Sequence, residues 1–299
     1  MGLTAPSLKF ILLLNKKYKF KGPLLTYGNQ DIYADLKTIK KWTKEYKLPN
    51  ISSKKYYKSS SLDLKQINPE SKNFVHAKTF FKQIGIKESN YYDVDKFDFD
   101  KPKIIHDLEK PFDKKYNNFF NLIIDSGTME HIFDIKSVMV NTVKITKLGG
   151  YVLYMIPANN FLNHGFYQIS PTFFYDFYTA NGFKIIESYI TEAKPTCIRF
   201  HKYNQKLTNE TFFNPFSRLG SVFLVKKIKN IKNIKSPTQF AYSNVIDSIQ
   251  KKKQIKHFDK FTNKLRRMVP FKYHGLFYIP WIIYKIISTK KNYFDLSFK

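Results

Sequence analysis

A chain of 299 residues can hold one full α/β domain with an appendage, or two small domains. Its 43% hydrophobic and 17% aromatic content excludes a disordered chain, and its one cysteine, Cys197, excludes an intramolecular disulfide and a thiolate metal cluster. The net charge of +28 suits a polyanionic partner, but Lys, Asn, Ile, Phe and Tyr are abundant together, as an AT-rich coding sequence would make them whatever the function.

The apolar run Phe10 to Leu14 is too short for a signal-peptide core or a membrane span, which leads us to expect a cytoplasmic protein. Beyond it, short apolar runs ending in Gly, Asp or Pro alternate with segments of helical period, the pattern of βαβ units and a mainly parallel sheet. Strands are expected near 23–27, 90–94, 102–106, 120–125, 150–156, 183–190 and 220–227. Helices are expected over 31–47, capped by Asp31, and over 74–84, 135–147 and 171–181. The third should end where Gly149 or Gly150 takes a left-handed conformation.

Residues 49–73, rich in Lys, Ser and Tyr, read as a solvated insertion in a domain spanning 1–228. Ser236-Pro237 then opens a basic, mostly helical extension, 236–299. Residues 226–299 hold 18 Lys or Arg against Asp247, Asp259 and Asp295, so most of the net charge belongs to this end of the chain. Within it, 275–288 is an apolar run broken by Pro280 and Lys285, read as a helix packed on the core. An anionic membrane surface, met from the periphery, is the alternative partner, given the flanking basic clusters.

Open parallel sheets bind ligands beyond the carboxyl ends of their strands, where strand order reverses. Four such ends carry candidates. Gly28 follows the first apolar strand, where the backbone can approach a ligand; the lack of further glycines rules against a G-x-G-x-x-G dinucleotide fingerprint. Asp93, with Asp95 as competitor, ends the second strand and can accept both hydroxyls of a ribose. Asp107 ends the third and can hold an exocyclic amine; its neighbour His106 reads as a packed histidine. The fourth, Asn121-Leu-Ile-Ile124, runs into Asp125-Ser126-Gly127 and then Glu130-His131.

In this order the segments resemble a class I S-adenosylmethionine (SAM)-dependent methyltransferase with a D-x-G-x-x-E-H fourth motif followed by a K-L-G-G turn. The resemblance covers roughly 20–190 and is strongest over 102–183. The stretch Asn163-His-Gly-Phe-Tyr-Gln-Ile-Ser-Pro171 is similar to methyltransferases associated with bacterial surface-polysaccharide genes. It implies a doubly wound, seven-stranded, mainly parallel sheet whose last strand is antiparallel, with SAM across the first, second and fourth strand ends. Carried over by position, Gly28 would face the methionine portion, Asp93 the ribose and Asp107 the adenine. Asp125, Ser126 and Gly127 would line the pocket beside the sulfonium.

The expected reaction is O-methylation of a small molecule, sugar or glycan precursor. His164, after the fifth strand, is the candidate general base, since an imidazole is partly neutral near physiological pH. Glu130, His131, Tyr167 and Gln168 are candidate acceptor-binding residues, and no metal is expected. RNA methylation through the basic tail is the weaker alternative, because Ile156-Pro157-Ala158-Asn159 stands where an Asn/Asp-Pro-Pro-aromatic tetrapeptide would hold a planar amine. A non-catalytic protein that kept the fold is the third reading.

Overall fold

The computed structural model describes residues 2–48, 74–205, 216–240, 242 and 293–298. In chain order the strands are β1 (Gly2–Leu3), β2 (Leu24–Tyr27), β3 (Asp31–Asp35), β4 (Phe74–His76), β5 (Tyr91–Asp95), β6 (Ile104–Ile105), β7 (Phe120–Asp125), β8 (Thr146–Asn159), β9 (Phe183–Ala193), β10 (Cys197–Lys202), β11 (Leu219–Lys227) and β12 (Tyr293–Ser297). The helices are α1 (Ala5–Tyr18), α2 (Leu36–Glu45), α3 (Ala77–Gln83), α4 (Ile135–Ile145) and α5 (Pro171–Ala180).

The main sheet runs β12-β10-β9-β11-β8-β7-β2-β5-β6. Five consecutive strands, β6 to β8 in that order, are parallel. β11 lies antiparallel between β8 and β9, as expected of the last strand, but β10 and β12 extend the sheet beyond the seven expected to nine. Strand order reverses between β2 and β7: from β2 the chain builds outward to β5 and β6, then returns to β7 and β8 on the other side. That reversal opens the crevice where such sheets bind ligands.

Both faces of the sheet are covered. Leu24, Leu122, Ile124, Leu153, Val222 and Leu224 pack beneath α1, α2 and α3. Leu25, Tyr27, Ile123, Val152, Tyr154 and Phe223 pack beneath α4 and α5. Such near-continuous apolar strands are what burial on two faces demands.

Three sequence expectations need correction. The helix expected over 31–47 opens as β3, where Ile32 and Ala34 are buried, and its cap is Asp35, whose carboxylate accepts from the Thr38 amide at 2.7 Å, in place of Asp31. The helix expected over 74–84 likewise opens as β4, with the His76 ring capping α3 through the Lys78 amide. Gly149 has φ of 82° but does not stop α4, which ends at Ile145. It lies in a bulge of β8, where the register against β7 slips between Phe120 and Leu122. Gly150 there sits so close to the Lys147 and Phe120 carbonyls that a Cβ would come within 2.8 and 2.9 Å of them.

The apolar run at Phe10 to Leu14 is the buried stripe of α1, a helix the sequence pattern did not reveal. α1 is tied to the sheet by Glu187, whose carboxylate accepts from Lys17 at 2.7 Å, Tyr18 at 2.5 Å, Tyr189 at 2.8 Å and Lys202 at 2.8 Å. On the opposite face of the sheet the buried Lys227 ammonium donates to the Val143 and Thr146 carbonyls, both at 2.8 Å, and so caps α4. Burial draws its pKa down to about 8.

The insertion 49–73, the apolar run 275–288 and its flanking basic clusters lie outside the described residues. The two described ends of the expected extension are attached to the domain, one at α5 and one at the sheet. Lys235 is hydrogen-bonded to Asn181 after α5, and β12 pairs with β10. Among the described residues no helix is long and apolar enough to cross a membrane.

Candidate functional site

The pairing of β2 with both β5 and β7 fixes which residues reach the crevice. Tyr27, the last residue of β2, lies beside Val94 on one side and Asp125 on the other. Gly28 follows directly, with φ of 69° and its amide donating to the Val94 carbonyl at 2.8 Å. A side chain would be strained in that left-handed conformation. Next in the turn, Gln30 donates to the Tyr27 carbonyl at 2.6 Å, while its Oε1 and the Oδ1 of Asn29 are buried with no donor among the described residues.

On β5 the strand end belongs to Asp95. Asp93 lies two residues earlier, opposite Thr26, and its Oδ1 accepts from the Lys103 amide at 2.7 Å. Asp93 also lines a separate cleft of about 330 Å³ with His76, Lys78, Glu88, Lys101 and Lys103. Asp95 is half-buried and accepts from the Phe97 amide at 3.1 Å. Beyond β6, Asp107 is half-buried and within 3.0 Å of the Lys96 ammonium, which holds its carboxyl below the usual carboxylate range. The His106 ring lies 4.5 Å from the Phe112 ring and bonds the Lys110 carbonyl, the packed role expected of it.

β7 delivers Asp125 to the centre of the crevice. Its Oδ1 accepts from the Thr128 amide at 3.0 Å, Thr128 in turn donates to the Tyr27 carbonyl at 2.7 Å, and Gly127 between them takes φ of 86°. The turn is thereby locked to β2. Asp125 is fully buried and its Oδ2 has no donor among the described residues. Burial first, and the neighbouring Glu130 second, push its carboxyl well above the ordinary range. Ser126 beside it is buried.

A short 3-10 turn, Met129–His131, then presents Glu130 and His131. Glu130 is fully buried, both carboxylate oxygens lack a hydrogen-bond donor among the described residues, and burial raises its pKa to about 7. The loop after β8 closes over it. His164 Nε2 lies 3.6 Å from Glu130 Oε1 and His131 Nε2 lies 4.0 Å away. Burial and His164 lower the pKa of His131. The loop is clamped by the Tyr167 amide, which donates to the Glu130 carbonyl at 3.1 Å, and by the Tyr167 hydroxyl on the Phe133 carbonyl at 2.8 Å. Gln168 accepts from the Phe161 amide at 2.9 Å, so its side chain shapes the loop from within. Gly165 is pressed so close that a Cβ would lie 2.8 Å from the Glu130 carbonyl oxygen. The exposed rings of Phe133 and Phe166, 5.8 Å apart, make an apolar lip beside this cluster.

The structure thus brings Gly28, Asp125, Ser126, Gly127, Glu130, His131 and His164 to one end of the sheet, with Asp107 at the neighbouring strand end and Asp93 a step away. Asn29 and Gln30 were not singled out as candidates from sequence. Their only signal was that they stand in the first turn where glycines would otherwise be expected.

A scan against protein-family models finds no match for this chain, and a search of curated proteins finds none. Among solved structures it is similar to TehB from Haemophilus influenzae, at 13% identity and a TM-score of 0.31, over 50% of this chain and 52% of that one. It is similar to a putative methyltransferase from Bacillus halodurans, at 11% identity and a TM-score of 0.37, over 74% and 99% of the two chains. It is also similar to StiE O-MT, at 10% identity and a TM-score of 0.34, over 82% and 79%. The chain spans about half the length of TehB. TM-scores below 0.5 at such identities say nothing about activity.

Proposed function

We propose that this chain is a SAM-dependent methyltransferase, acting on an oxygen of a small hydroxylated molecule such as a sugar or glycan precursor. One observation carries the reading. Of the six buried side-chain polar atoms without a partner among the described residues, five are oxygens of Asn29, Gln30, Asp125 and Glu130, all at the reversal between β2 and β7. Buried polar atoms are ordinarily hydrogen-bonded. A cluster of orphan acceptors fits a ligand that brings donors and positive charge, as the ammonium and sulfonium of SAM do.

The residues present fit that cofactor. Gly28 leaves room for close approach, and Asn29 and Gln30 offer acceptors to the amino-acid portion. We assign the ribose hydroxyls to Asp95, which ends β5 beyond Tyr27, in preference to Asp93, which stands inside the strand opposite Thr26. Asp107 stands at the next strand end for the adenine amine. When bound, the cofactor supplies an electrophilic methyl group. The chain's own part is to align an acceptor with it and to exclude water, which suffices for much of the acceleration of an in-line displacement. His164, ordered by its loop beside Glu130, takes the hydroxyl proton on Nε2, and the buried carboxylate stabilises the imidazolium that forms.

Calorimetric titration of the purified chain with SAM tests this directly. Saturable heat and a thermal shift are expected. No heat and no shift at millimolar SAM would overturn the proposal.

A further inference from the structure

We infer that Glu130, His131 and His164 form a binding site for a divalent first-row transition-metal ion, which the acceptor's oxygen would join as a further ligand. One ligand atom from each of the three residues lies within 4.8 Å of the others. With bonds of about 2.0–2.2 Å, the ligand atoms of a tetrahedral or octahedral site sit roughly 3–3.5 Å apart. The 3.6 Å from His164 and 4.0 Å from His131 to Glu130 Oε1 therefore need only small rotamer adjustments to close on an ion.

The second observation is the state of Glu130. A carboxylate removed from water is costly unless charge or hydrogen bonds compensate, and this one is fully buried with no donor on either oxygen among the described residues. It faces the two imidazole nitrogens at distances too long for hydrogen bonds and suited to an intervening cation. The rings are not stacked on one another: their centroids are 5.1 Å apart at 57°, so each edge can turn to a common point. The backbone around them is set, with Tyr167 and Gly165 fixing the loop of His164 on the backbone of Glu130.

The donor set chooses the metal. Two imidazoles and one carboxylate suit Mn²⁺, Fe²⁺, Co²⁺, Ni²⁺ or Zn²⁺, whereas Mg²⁺ and Ca²⁺ prefer oxygen throughout. Three protein ligands leave positions open, and the side chains of His131 and His164 are 39% and 48% exposed, so the cluster is reachable from solvent. The expectation of no metal was built on the lone cysteine, which speaks only to thiolate sites. The role of the ion, though not its binding, rests on the methyltransferase reading. A bound hydroxyl would lose its proton to solvent more readily beside the cation, and His164 would serve as ligand in place of base.

The test uses the full chain after chelator treatment, titrated with Co²⁺ and followed by its visible d–d absorption, with Zn²⁺ and Mn²⁺ titrated by calorimetry. One equivalent should bind to the wild type, and Glu130→Gln and His164→Ala should each weaken binding at least tenfold. His106→Ala, away from the cluster, should leave it unchanged. Circular dichroism of each variant separates loss of ligand from loss of fold. Absence of stoichiometric binding of all three ions to folded wild type would overturn the site, as would binding unchanged in folded His164→Ala. SAM affinity is measured on the same samples: metal binding without SAM binding would retain the site and remove the methyltransferase reading.

Discussion

Asp93 and Asp95 differ by two positions, one full pleat of a strand, and therefore project from the same face of β5. Only the register against β2 separates them, and it puts Asp95 beyond Tyr27 at the open end while Asp93 meets Thr26. Asp95→Ala should weaken SAM binding by about 1–3 kcal/mol, the range for leaving buried partners unpaired, when measured by calorimetry. Asp93→Ala should instead lower the denaturation midpoint, because the Lys103 amide loses its acceptor, and leave SAM affinity unchanged. Sequence alone could name both aspartates but not choose between them, since alternation repeats every two residues and does not say where the strand stops. Asn29 and Gln30 were still harder to read. Their orphan oxygens are a property of what surrounds them in three dimensions, and nothing in the local pattern signals that.

At the scale of elements, Glu187 shows how a helix outside the βαβ pattern is held. Burial by itself would raise its pKa, but the bonds from Lys17, Lys202, Tyr18 and Tyr189 outweigh that and carry it down to about 2. A carboxyl depressed in the folded state adds stability that is complete above its ordinary value of 4.5 and fades as the pH falls toward 2. The shift corresponds to roughly 3 kcal/mol at neutral pH. Urea midpoints should therefore show Glu187→Gln well below wild type at pH 7 and converging with it as the pH approaches 2. The strands of the parallel core were legible because burial on both faces writes unbroken apolar runs such as Leu122 to Ile124. β3 and β4 were not. Each is short and leads directly into a helix capped by its own last residue, Asp35 or His76, so the helical spacing of Ile39 and Trp42 extended backwards over the strand. α1 was hidden for a related reason: its dense apolar run has no clean periodicity to separate helix from strand.

For the whole molecule, the basic C-terminal region cannot be treated as an appendage along its full length. β12 is paired through five register positions with β10, Leu296 is buried, and the Phe294 ring stacks on Phe200 at 5.0 Å, which stacks on Phe10 of α1 at 4.8 Å. Leu296→Ala should cost about 2–4 kcal/mol in chemical denaturation, the range for emptying a buried leucine site. A loss below the noise of the measurement would mean that the strand contributes little to the fold. β2, β5, β6, β7, β8, β9 and β11 were readable from their apolar runs, while their arrangement as one sheet came from the resemblance. The two added strands were not, since β10 pairs outward only with β12, which lies a long stretch of chain away.

The meeting of α1 with β12 sets a schedule as well as a shape. Lys9 donates to the carbonyl and hydroxyl of Ser297, a contact that spans 288 positions of the chain. On a ribosome α1 emerges early, with its apolar stripe of Leu8, Ile11 and Leu12 already made, and part of the surface it will cover arrives only when β12 has been synthesised. Through that interval the helix must be shielded by the sheet strands that precede β12 or by a chaperone. Nascent chains halted before residue 293 should therefore engage hydrophobic-binding chaperones more than chains released after it.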